Sequence, residues 1–128
     1  MDWQNYLELS DESLQDLRSV GYLYIKQGCY NIALEIFVAL TILSPGNSYD
    51  LQTLGALFLH QEKYIKAIDY LNKASKIDPS NYLIILNKAK ALLSLGYRTE
   101  GIALANSIIK SSNQKLAQQA SALISAYS

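Results

Sequence analysis

The feature that most constrains this chain is a repeat. Gly21 and Gly55 lie 34 residues apart, as do Tyr30 and Tyr64, Ala33 and Ala67, and Pro45 and Pro79. A further shift of 34 puts Ala89 under Gly55, Leu92 under Phe58, Gly101 under Ala67 and Asn113 under Pro79, so a third unit is present in degraded form. A chain built this way stacks like units along one axis, and each unit buries its apolar face only against its neighbours.

Within a unit the apolar residues recur at helical spacing twice. In the first, Leu17, Val20, Gly21 and Tyr24 precede Gly28, and Tyr30, Ala33, Phe37 and Leu40 precede Pro45-Gly46-Asn47. The period, the small residues at positions 8 and 20, the large apolar residue at 24 and the proline at 32 make up the tetratricopeptide pattern. The fold class expected is therefore all-α: three helix-turn-helix repeats over 14–47, 48–81 and 82–115, with an N-terminal arm over 1–13 and a capping helix over 116–128. Gly21 with Ala33, Gly55 with Ala67, and Ala89 with Gly101 are expected to let the paired helices cross closely. Gly101 costs a helix about 1 kcal/mol relative to Ala, which points to close packing there.

Composition excludes several classes. The chain has 128 residues, half of them apolar, with 11 basic against 11 acidic side chains, which describes one folded domain without long-range attraction to phosphate backbones or anionic lipid. One Cys and one His, Cys29 and His60, furnish neither a disulfide nor a metal set, and no phosphate-cradling Gly-rich loop occurs. His60 reads as a helix-end side chain and Cys29 as a free thiol in a turn. No enzyme, no cofactor and no metal are expected. The absence of an early basic residue and of any apolar run approaching 20 residues leads to a cytoplasmic assignment, without membrane insertion.

Charge is unevenly placed. Five acids and no base occur through Asp16, whereas six Lys and two acids lie between Lys63 and Lys90. Lys63, Lys66, Lys73 and Lys76 fall on the outward side of one helix and lack interleaved aromatic stacking groups, so they read as a solvated face rather than a nucleic-acid site. Trp3, Tyr6, Leu7 and Leu9 make the N-terminal segment apolar among acids, as an opening cap or a self-association arm, while Leu116, Ala120, Leu123 and Ile124 mark the closing helix.

In such a solenoid the first helix of each unit lines the concave side. Positions 2, 5, 9 and 12 supply Gln15, Arg18, Tyr22 and Ile25, then Tyr49, Gln52, Ala56 and Leu59, then Leu83, Leu86, Lys90 and Leu93. The row is mostly apolar, and exposed apolar patches of that extent mark an occupied groove. Gripping a carboxylate would need cations at positions that instead hold Tyr22, Thr53, Leu83 and Asn87 beside Arg18. An extended apolar segment fits better, and the candidate peptide-binding residues are Tyr22, Ile25, Tyr49, Gln52, Leu59, Leu83, Leu86, Lys90 and Leu93.

Gly28-Cys29-Tyr30-Asn31-Ile32-Ala33, then Ile36-Phe37-Val38-Ala39-Leu40-Thr41-Ile42-Leu43-Ser44-Pro45, then Leu54-Gly55-Ala56-Leu57-Phe58 resemble the class II chaperones of bacterial type III secretion (LcrH/SycD-like). Leu40, where the general repeat expects Ala, shares that branch's departure. The resemblance runs from about Leu14 to Ile109. It implies a small cytosolic chaperone that holds a hydrophobic segment of a secreted translocator, needle or export subunit in its groove and keeps it soluble and unassembled. It also leaves room for a homodimer through the N-terminal arm and for contact with the export apparatus. A scaffold that assembles through its convex face and ends is the competing expectation.

Overall fold

The computed structural model describes residues 10–128. Seven helices follow one another: α1 (Asp11–Lys26), α2 (Tyr30–Leu43), α3 (Ser48–His60), α4 (Tyr64–Ile77), α5 (Tyr82–Ser94), α6 (Arg98–Ile109) and α7 (Gln114–Tyr127). There is no strand among the described residues. Residues 1–9 of the expected arm lie outside the described part, and 11–13 belong to α1.

Each unit starts and turns by the same local chemistry. The side chains of Ser10, Asn47, Asn81 and Asn113 cap α1, α3, α5 and α7, each accepting from a backbone N–H of the first turn. Asn113 stands where the other units have proline and starts α7 at Gln114, ahead of the 116 expected from the period. Between the paired helices the chain turns at position 15, where Gly28, Glu62 and Gly96 all have positive φ (78°, 62° and 92°). The residue after each donates its N–H five residues back, Cys29 to Tyr24, Lys63 to Phe58 and Tyr97 to Leu92, all at 2.9 Å. Glu62 does this without glycine's freedom.

The expected small-against-small crossing is met in part, since a Cβ on Gly55 would stand 3.4 Å from the Ala67 carbonyl oxygen, but the tightest approach is to a large side chain. A Cβ on Gly21 would stand 2.7 Å from a Phe37 ring carbon, and one on Gly55 would stand 2.6 Å from Leu71 Cγ. The gap at position 8 is thus filled by the large side chain at position 24, one turn beyond the small residue at 20. Gly101 does make a close approach, with Leu93 Cγ 2.6 Å from where its Cβ would be.

The interior divides at α5. Phe37, Leu40, Leu54, Leu71 and Ala74 of the first two units form one core together with Ile84 of α5, and Leu86, Ala89, Ala105, Ile108 and Ala120 form a second under α7. Leu40, Ala74 and Ile108 occupy one repeat position, and all are fully buried.

Candidate functional site

The concave side is built by α1, α3 and α5, and an ion pair joins the first two of these helices. Asp50, in the first turn of α3, is fully buried, and Arg18 of α1 is 9% exposed. Arg18 Nε donates to Asp50 Oδ1 at 2.8 Å and Nη2 to Oδ2 at 2.9 Å, a two-pronged pairing that ties the first unit to the second. Arg18 Nη1 also donates to Gln15 Oε1 at 3.2 Å. Arg18, placed in the groove row by sequence, is therefore committed to a structural partner, with its residual surface at the groove.

Beyond this pair lies a cleft of about 260 Å³. Tyr22 and Ile25 enter from α1, Tyr49, Gln52, Ala56 and His60 from α3, and Leu83 and Asn87 from α5. Tyr30 closes one end, its ring centroid 4.1 Å from that of His60. Tyr49 is braced edge-on by the buried Phe37 at 6.2 Å, and Lys26 Nζ lies 5.0 Å from the centre of the Tyr22 ring. A second depression of about 280 Å³ continues past Tyr22 and Tyr49 toward Gln15, Ser19 and Leu23. The two tyrosines divide a continuous groove into two halves.

Polar groups in the cleft are few. Thr53 Oγ1 donates to the Tyr49 carbonyl at 2.7 Å, and Gln52 Oε1 accepts from Asn81 Nδ2 at 3.2 Å. Asn87 is 8% exposed and lines the cleft. Its amide makes no side-chain hydrogen bond to another described residue, which leaves donor and acceptor capacity facing the groove. The chemistry available is apolar contact with a few backbone-type hydrogen bonds. No group of three or more His, Cys, Asp or Glu among the described residues is placed to hold a metal ion. No helix among them is long and apolar enough to cross a membrane.

Five sequence candidates meet in the cleft: Tyr22, Ile25, Tyr49, Gln52 and Leu83. Leu86 and Leu93 do not. Leu86 is fully buried in the second core, and Leu93, 3% exposed, packs onto Gly101. Leu59 is half-buried against the first core, and Lys90 lies one turn beyond Asn87, outside the cleft. The cause is partly angular. At about 100° per residue, positions 2, 6, 9 and 13 fall within about 60° of one another, whereas 5 and 12 sit on one flank of that stripe, which reaches the cleft in Ile25 and Gln52 but is drawn into the packing in Leu59, Leu86 and Leu93. Lys90, at position 9, lies outside the cleft because the cleft ends at Asn87. Position 6 supplies Thr53 and Asn87 and position 13 supplies His60, which the 2, 5, 9, 12 reading missed. The helical period contains that signal. Tyr30 and Leu57 come from outside the stripe, and only tertiary packing brings them in.

No family model matches the chain. A TPR repeat-containing protein of Methanocaldococcus jannaschii is 30% identical over 105 residues, which is 82% of this chain and 18% of that protein. The chain spans less than a fifth of the length of the curated relatives it matches. Among solved structures, a type III secretion complex from Aeromonas hydrophila superposes with a TM-score of 0.86 at 22% identity, covering 97% of this chain and 86% of that one. The Yersinia enterocolitica type III secretion chaperone SycD, solved with a peptide of the translocator YopD, superposes with a TM-score of 0.83 at 25% identity, covering 94% and 95%. The chain thus has a tetratricopeptide-repeat fold and resembles, over nearly its whole described length, the type III secretion translocator chaperones.

Proposed function

We propose that this protein is a cytosolic type III secretion chaperone that binds a hydrophobic segment of a secreted subunit in its concave groove and keeps it soluble and unassembled. One observation carries the reading. Tyr22, Tyr49 and Leu83, from three successive groove helices, remain 46%, 44% and 40% exposed around a single cleft that α7 does not cover. Large apolar side chains held open in this way lose the stabilisation that burial would give, and an incoming apolar segment restores it. The solved relative with a translocator peptide supports the same use of the fold. Binding is without turnover.

Co-purification from the native cell, with mass spectrometry of whatever accompanies the chain, tests it. The expected result is a one-to-one complex with an exported protein, lost in Tyr22→Asp and in Leu83→Glu while the melting transition is kept. A scaffold acting through its convex face would retain its partners in both variants, and that outcome refutes the chaperone reading.

A further inference from the structure

We infer that Asn87 reads the backbone of the bound segment: its side-chain amide pairs with the N–H and C=O of one residue of an extended guest where that guest crosses α5. This role rests on the chaperone reading above and adds what the groove recognises besides apolar side chains. Three polar residues among the described ones are buried, Arg18, Asp50 and Asn87. Arg18 and Asp50 satisfy each other through two hydrogen bonds. Asn87 has no side-chain partner among the described residues. Gln61 Oε1 is the only side-chain polar atom among those residues that is both sealed from solvent and unpartnered, so the Asn87 amide keeps an accessible edge, and the residue lines the cleft. Local structure does not account for an asparagine here. Asn47, Asn81 and Asn113 cap helices, and Asn31 accepts from Gln61 Nε2 at 3.2 Å. Asn87 instead sits in the middle of α5, where Asn is a poorer helix former than Leu or Ala.

An apolar guest turns this open amide into a requirement. A segment laid across Tyr22, Tyr49 and Leu83 displaces water from the cleft, and an amide left unpaired there opposes binding. Nearby polar groups are already engaged, since Thr53 Oγ1 donates to the Tyr49 carbonyl at 2.7 Å and Gln52 Oε1 accepts from Asn81 Nδ2 at 3.2 Å. The partner for Asn87 must therefore come from the guest. In an extended chain the N–H and C=O of one residue point to the same side, as in the antiparallel pairs that exchange both bonds. A carboxamide presents an acceptor and a donor in one plane and matches that edge. Every residue but proline offers it, because proline lacks the N–H. The guest residue facing Asn87 is thus any residue except proline, and pairing there sets which of its neighbours reach Tyr22, Tyr49 and Leu83.

The probes are overlapping synthetic peptides covering the exported protein that co-purifies with the chain. The tightest-binding peptide is then remade with each backbone amide in turn replaced by an ester, which deletes one N–H donor. One ester should weaken binding to the parent chain about tenfold and leave binding to Asn87→Leu unchanged. Asn87→Leu should itself bind the unmodified peptide about tenfold more weakly, yet melt at or above the parent temperature when unbound, since it removes an unpaired buried amide. Asn87→Asp, of the same size, keeps the acceptor and should retain the ester effect, so the outcome does not hang on one variant. A leucine variant that melts several degrees lower would overturn the proposal, because the amide would then have its partner inside the fold. An ester series that acts alike on parent and Asn87→Leu would also overturn it, as would a polar guest side chain whose truncation to Ala accounts for the whole Asn87 effect. If no peptide binds the parent, the chaperone reading fails and this role with it; a peptide that binds parent and Asn87→Leu equally removes only the role of Asn87.

Discussion

Replacing Asp50 by Ala removes the only carboxylate, among the described residues, that the buried Arg18 guanidinium pairs with. Two charge-assisted hydrogen bonds, of 2.8 and 2.9 Å, are lost, and Gln15 Oε1 at 3.2 Å is the one side-chain acceptor that remains. Stranding one member of a buried pair costs about 3–5 kcal/mol. Because the accessible edge of Arg18 borders the outer half of the groove, water can reach it, and the loss should fall near the lower figure. Arg18→Met strands a carboxylate with no exposed surface and should fall near the upper one. With an unfolding entropy of about 0.27 kcal/mol/K for a chain of this length, the two variants should melt about 11 and 19 °C below the parent. The combined Arg18→Met/Asp50→Leu chain, apolar on both sides, should recover most of the loss, since a packed apolar pair often equals a buried ionic one. Urea titration followed by circular dichroism, analysed as a double-mutant cycle, measures all three. A loss below about 1 kcal/mol for Asp50→Ala, or a double variant as unstable as the sum of the singles, would refute the assignment of this pair as the tie between the first two units.

Other substitutions examine the division between groove and core. Leu83→Ala should change stability by no more than about 0.5 kcal/mol, whereas Leu86→Ala, three residues on in the same helix, should cost about 2–5 kcal/mol; chemical denaturation separates them. Gly55→Ala gains about 1 kcal/mol of helix propensity but drives a Cβ to 2.6 Å from the fully buried Leu71. Overpacking of that kind costs about 1–3 kcal/mol, so a net loss is expected, and a raised melting temperature would show that the gap is slack. Glu62→Gly relieves a non-glycine residue held at φ 62° and should raise the melting temperature by a few degrees. Leu59→Glu should destabilise the first core as well as the groove wall, so capture and melting should fall together, unlike in Tyr22→Asp.

Most of the architecture can be read without coordinates, because a repeat imposes the same local solution several times. The Asn caps at 47 and 81, the left-handed turn at position 15 and the buried set at position 27 all recur with the 34-residue period. Local backbone chemistry and helical periodicity suffice to place them. The resemblance to the secretion chaperones rested likewise on contiguous residues around Gly28 to Pro45, and the superposition on solved structures agrees with it.

What the period leaves undecided is which side of a helix the neighbours claim. Leu83, Leu86 and Leu93 are the same residue type on one helix, yet Leu83 faces the cleft while Leu86 lies under α7 and Leu93 fills the space left by Gly101. Arg18 and Asp50 are unremarkable 32 positions apart until the packing of α1 on α3 shuts them together away from water. The sequence by itself determined the helices, their order and their apolar stripes, since these follow from interactions within a few residues. The partition of each stripe between binding surface and interior was decided only by tertiary packing, because burial depends on the angle at which a distant helix arrives.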